Sequence, residues 1–152
     1  MKHLQQLAPD MFAMLEHADD LMLRRACLCA CEYAASHNKL HEPLVERALD
    51  ALRVGRQYRE DETAQLRALV SLLDDRYFEL KDLVEEQEDE PTRETLTRQY
   101  REYFQKARSV AAFLSAADED SFEAATEAIY EAAASTPNGA VLFDRIKQVL
   151  TS

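Results

Sequence analysis

Thiolate and imidazole are the groups that bind zinc, and this chain places Cys27, Cys29 and Cys31 in one short run with His37 and His41 just beyond it. The spacing works against a metal site. On a helix Cys27 and Cys31 share a face while Cys29 lies about 200° from Cys27, so the three thiols cannot close one tetrahedron. Nor is this the C-x-x-C of a redox pair, and no βαβ pattern surrounds it. The three are expected to be packing residues in a crowded helix. An odd, tightly clustered set of cysteines points to a reducing compartment, with the cytoplasm as the default.

Carboxylates offer a second chemistry. Asp74, Asp75, Glu79, Asp82, Glu85, Glu86 and Glu88 could hold magnesium on a helix face if a second acidic helix met them, and Glu119, Glu123, Glu127 and Glu131 are its candidates. The result would be a metal-dependent hydrolase of small phosphorylated molecules. The interval of four in the second set suits a solvated helix face equally well, and no basic phosphate-binding loop accompanies either set. A G-x-S-x-G elbow and a P-loop are both missing, and His3 and His17 stand without a nearby nucleophile. No catalytic residue, metal ligand or cofactor is assigned.

The third constellation is electrostatic. Asp82, Glu85, Glu86, Glu88, Asp89 and Glu90 concentrate negative charge around one predicted turn, a density that would speed encounter with a basic partner. These six are the candidate partner-binding residues. Arg93, Arg98, Arg101 and Arg108 follow on the next segment and are expected to pair across or along it rather than form a nucleic-acid stripe.

The elements that carry these groups follow from composition and period. The chain has 152 residues, of which 47% are hydrophobic and 31% charged, enough apolar surface for one folded domain spanning residues 1–152. With two glycines and four prolines, it lacks the positions of positive φ that a β-rich or Rossmann-type protein needs, so long helices joined by few turns are expected. The formal net charge of −11 disfavours nucleic acid and anionic lipid. No stretch approaches the roughly 18 apolar residues of a membrane span, and Met1 to Pro9 contains no long apolar leader.

A short helix is expected from Pro9 and Asp10, followed by a buried central helix over Leu21 to Ser36 whose charges, Arg24, Arg25 and Glu32, form one narrow stripe. Pro43 opens a third helix that Gly55 ends, and Asp61 is the expected N-cap of a fourth. The strongest pattern comes next. Leu66, Val70, Leu73, Tyr77, Leu80 and Val84 step alternately by 4 and 3, as do Leu96, Tyr100, Tyr103, Ala107, Val110 and Leu114. The two seams mirror each other about position 90, pairing Leu66 with Leu114, Val70 with Val110, and Tyr77 with Tyr103. An antiparallel αα-hairpin over about residues 62–116 is the result, turning before the helix breaker Pro91. Leu69, Leu72, Leu83, Phe104, Ala111 and Phe113 lie off the seam and are expected to be covered by other helices. Asp120 with Glu123 opens a further helix as a capping box, and Val141 to Leu150 close the chain as the last. The fold class is thus all-α, a bundle of about seven helices around a long hairpin.

One resemblance adds to this. The run Asp10-Met-Phe-Ala-Met14-Leu15-Glu16, followed by Leu23-Arg24-Arg25-Ala-Cys-Leu-Cys29-Ala30-Cys31, resembles the opening of a group of uncharacterised bacterial all-helical proteins. Those carry a D-P-x-x-M-L element and then an R-L-F-A-C-A-C-C helix. Met11 stands here where they have the proline, and Glu32 where they have the last cysteine. The resemblance covers the first third of the chain and implies a helical bacterial protein, with no activity attached. The functional expectation is a non-enzymatic module for a basic partner protein, of the immunity or antitoxin-like inhibitor kind. It would bind neither nucleic acid nor membrane, and would be a monomer or a homodimer. Self-assembly as a structural protein is the further alternative.

Overall fold

The computed structural model describes residues 3–151. Met1 and Lys2, which open the stretch read as lacking an apolar leader, and Ser152 lie outside it. The order is α1 (His3–Leu7), α2 (Pro9–Glu16), α3 (Asp20–His37), α4 (Pro43–Val54), α5 (Glu60–Glu86), α6 (Glu90–Ser115), α7 (Ser121–Ala134) and α8 (Gly139–Thr151). The chain is all-α, and among the described residues there is no strand. Among the described residues no helix is long and apolar enough to cross a membrane.

The eighth helix, beyond the seven expected, is α1. Pro9 can start α2 but cannot continue α1, so the first apolar pair becomes a separate turn, burying Leu4 and leaving Leu7 exposed. Helix α3 is central, packing against α4, α6, α7 and α8. Its inner side is built of Ala26, Ala30, Cys31 and Ala34, small residues that let neighbouring helices approach closely, with Ala125, Ala128, Ile129 and Ala132 of α7 contributing to the same core. The charged stripe of α3 is wider than expected, because Leu21 falls on the same face as Arg24 and Arg25 and stays exposed.

Caps set the boundaries. Gly55 ends α4 in the left-handed conformation at φ 75°, with the Arg56 N–H donating to the Ala51 carbonyl, a Schellman closure that a Cβ would strain. Asp19 and Asp120 accept from backbone N–H groups at the starts of α3 and α7. Asp61 does not cap α5. The N-cap is Arg59, whose backbone N–H donates to the Glu62 carboxylate at 2.8 Å, while Asp61 accepts from the Arg59 side chain. The carboxylate three residues into the helix reaches back and does the capping that a side chain at the N-cap would otherwise do.

The hairpin is the longest feature, and α5 alone spans about 40 Å at 1.5 Å per residue. Its turn is short: α5 ends at Glu86, Asp89 accepts from the Thr92 backbone N–H as N-cap of α6, and Pro91 occupies the first turn. Pro91 therefore starts a helix instead of breaking one, since its missing N–H is an orphan there. The seam holds, with Leu66, Leu80, Ala107 and Val110 fully buried. Its pairing differs at the aromatic layer. The Tyr77 ring lies 5.6 Å from that of Tyr100 and 5.4 Å from that of Phe104, while Tyr103 sits beneath the Arg76 guanidinium. A side chain at such a seam enters the gap between residues four apart on the facing helix, not one opposite residue.

Only half of the hairpin joins the bundle. Apart from α6, α5 makes more than marginal contact with α4 alone, and the fully buried part of α6 is its last third, Ala107 to Phe113. Leu72 and Leu83, expected beneath other helices, are 65% and 45% exposed, and Phe78 is exposed as well. The distal half is a free arm, because the remaining helices are too short and too few to reach it. Phe113→Ala should therefore cost about 3–5 kcal/mol in urea unfolding, whereas Leu72→Ala should change stability by less than about 0.5 kcal/mol.

Candidate functional site

The six acids of the hairpin turn are where the sequence places them, at the far end of the arm. Asp82, Glu85, Glu86, Glu88, Asp89 and Glu90 are all exposed. Asp89 is structural as well as charged: Thr92 donates to it from both its backbone N–H and its hydroxyl, which holds its carboxyl below the usual range. The other five have no ion-pair partner among the described residues, although Arg76–Glu79 and Arg53–Glu32 show that such pairs form elsewhere on the surface. Their charge is thus not tied up in ion pairs, and it sits at the end of the arm away from the bundle.

The arginines divide. Arg108 lies between α5 and α7, donating to both oxygens of Asp74 at 3.1 Å and to Glu131 at 3.1 Å. Its guanidinium fork ties three helices at the point where the arm leaves the bundle. Arg93, Arg98 and Arg101 do not form the expected pairs: none has a carboxylate within 4.0 Å among the described residues. They line a shallow groove with Glu90, Glu94 and Thr97 on α6.

This arrangement bears on the two acidic helices considered for magnesium. The fold does bring α5 and α7 to one place, at Asp74 and Glu131, but the space between those carboxylates holds the Arg108 side chain. Burial pushes the Glu131 carboxyl up, with Arg108 opposing it. Asp75 and Glu79 lie elsewhere on α5, the tip acids lie at its end, in the turn and at the start of α6, and α5 makes no more than marginal contact with α7. Among the described residues no group of three or more His, Cys, Asp and Glu side chains could hold a metal ion.

The cysteines are divided by the helix as the spacing requires. Cys27 and Cys31 are buried on the inner face, and Cys29 is half-buried in a groove with Tyr33, His37 and Arg145. A hydrogen bond with Cys27 and then burial push the Cys31 thiol well up, and burial does the same for Cys29. Cys29 and Cys31 are thereby held as thiols, the unreactive form. His37 stacks on Tyr33, His3 stacks on Tyr130, and His41 is exposed in the α3–α4 loop. A cavity of about 320 Å³ between α3, α4 and the α6–α7 loop is lined in part by Leu23, Cys27, Leu52, Tyr58, Ala116 and Ala124, and no histidine is among its lining residues.

The site residue that the sequence did not reveal is Glu62. It is buried, accepts from both Arg56 nitrogens at 2.9 and 3.3 Å, and fixes the start of α5 while the Tyr58 hydroxyl donates to the Phe113 carbonyl at 3.0 Å. Its only sequence signal is a glutamate three residues after a helix boundary, which the more familiar Asp61 obscured.

Comparison with protein-family models, with curated proteins and with solved structures finds no match to this chain.

Two outcomes follow from these anchors. The Arg56 side chain and then the Arg59 N–H hold the Glu62 carboxyl down at about 2, below its ordinary 4.5. The lowered value favours the folded state above pH 4.5 and loses that contribution as pH falls toward 2. Glu62→Gln should flatten the stability profile in that window when unfolding is followed across pH. Arg108→Met leaves two carboxylates facing each other without a cation. Because all three groups keep some solvent contact, the loss at pH 7 should be about 1–2 kcal/mol, smaller in acid, where Glu131, already pushed up by burial, takes up a proton first.

Proposed function

We propose that this chain is a non-enzymatic protein-binding module whose hairpin arm presents an acidic tip to a basic surface of a partner protein in the cytoplasm, the mode of action of an immunity or antitoxin-like inhibitor. The observation that carries the reading is the state of the tip acids. They are exposed, concentrated, without an ion-pair partner among the described residues, and held away from the bundle on an arm whose base is braced by Arg108 and Glu62. A solvated turn that served solubility alone would not need an arm of this length. Charge of one sign on a protruding, low-dielectric support attracts a basic surface over roughly a Debye length, about 8 Å at physiological salt, and aligns it before contact.

The test is capture from source lysate by the wild-type chain and by a variant carrying Asp82→Asn, Glu85→Gln, Glu86→Gln, Glu88→Gln and Glu90→Gln. Asp89 is kept because it caps α6. The expected result is a basic protein retained by the wild type at low salt, weakened at high salt, and lost from the variant. Equal retention by both chains, or no retention by either, would remove the tip as the binding surface.

A further inference from the structure

We infer that the outer stripe of α5 is a self-complementary interface that pairs antiparallel with the same stripe of a second copy of this chain. Leu72, Arg76, Glu79 and Leu83 step by 4, 3 and 4 residues, so they form a second heptad row on α5, displaced about 110° from the seam that meets α6. All four are exposed; among the described residues Arg76 reaches across to the Tyr103 ring of α6, and the two leucines stay open to solvent. Exposure of two leucines on one helical row is unusual only in its arrangement, and that arrangement has a symmetry.

Read from either end, the row is leucine, charge, charge, leucine with the same spacing. Two such rows laid antiparallel about a two-fold axis near residues 77 and 78 place each Leu72 opposite the second copy's Leu83, and each Arg76 opposite the second copy's Glu79. This is the pairing that antiparallel helices adopt when heptad positions meet, and an isologous interface requires such self-complementarity. Charge complementarity selects the occupant. Within one copy Arg76 already holds Glu79 at 3.1 Å, so two copies bring two bridges together as a ring of alternating charge, closed at each end by a leucine pair. A parallel arrangement would instead set Arg76 against Arg76 and Glu79 against Glu79. The flank carrying Phe78 has no such symmetry, since Asp75 and Asp82 flank that residue at helical spacing with Lys81 beside them, and reversing the row does not reproduce that order.

The contact is small. A single helix pair over these layers buries less than the ~1,200 Å² of a standard stable interface, so association belongs in the range of about 10 μM to 1 mM. Pairing at this row sends the two acidic tips in opposite directions, each alongside the first half of the second copy's α5, and the inference does not rest on what the tips bind.

Sedimentation velocity over about 10 μM to 1 mM tests it. The wild type should shift from monomer toward dimer with rising concentration. Arg76→Glu gives an all-acidic middle and Glu79→Arg an all-basic one, and each alone should weaken association at least tenfold, because like charges then face each other. Mixed in equal amounts, the two variants should form a heterodimer, since each one's middle now complements the other's. The doubly exchanged chain, R76E with E79R, should recover wild-type association, which separates the interface from any effect on folding. A wild type that stays monomeric throughout, single variants that associate as the wild type does, or a mixture that stays monomeric would each overturn the inference.

Discussion

The interlocking of α5 with α6 is the interaction on which the remaining architecture depends. Neither helix has a buried face without the other along the distal half of the arm, and each isolated helix would be marginal in water. The seam is not uniform. Near the bundle it is made dry by Leu66, Ala107 and Val110, all fully buried. Toward the tip it relies on Leu80 and on the rings of Tyr77, Tyr100 and Phe104, which are half-buried and cover one another. Aromatic side chains suit that position, because a large ring buries much area against a single neighbouring helix where smaller residues would need a third one.

Anchoring such an arm takes directional contacts at its base. Arg108 joins α6 to α5 and α7, Tyr58 joins the α4–α5 linker to α6, and Glu62 gathers Arg56 and the Arg59 N–H at the first turn of α5. Among the described residues, every buried polar side-chain atom has a hydrogen-bond partner. Polar groups here perform a task that apolar packing does poorly, which is to fix an angle. A hydrophobic contact tolerates sliding, whereas a guanidinium fork between two carboxylates on different helices does not. The bundle itself is the opposite case: α3 and α7 meet through alanines, cysteines and Ile129, with closeness of approach supplying what directional bonds supply at the arm.

The charge distribution follows the same division. Acidic residues near the base are neutralised by arginine, whereas those at the tip are left to solvent. Arg93, Arg98 and Arg101 on the returning helix also have no ion-pair partner among the described residues, so the arm carries its charges, with Glu90 and Glu94 beside these arginines, outside any bridged network. Such an arrangement keeps a strong local field in water and adds little to stability, since exposed charges contribute little to folding. It is consistent with a surface arranged for encounter.

How much of this was legible in the sequence depends on the range of the interaction involved. Local rules determined the helices: the period of the apolar residues, Asp19 and Asp120 as caps, Gly55 as a stop and Pro43 as a start all act within one turn. The hairpin and its near-symmetry about Glu90 were also legible, because a short turn forces the two following seams to meet. Local rules also misled where two of them competed, as at Asp61 and Glu62, or at Pro91, where a helix breaker and a helix starter are the same residue. Only the tertiary structure decided that half of the arm stays uncovered, that Leu72 and Leu83 meet water, and that Arg108 fills the space between Asp74 and Glu131. Those outcomes depend on where α7 happens to end against α6, a sum over many weak long-range contacts that no single stretch of residues encodes.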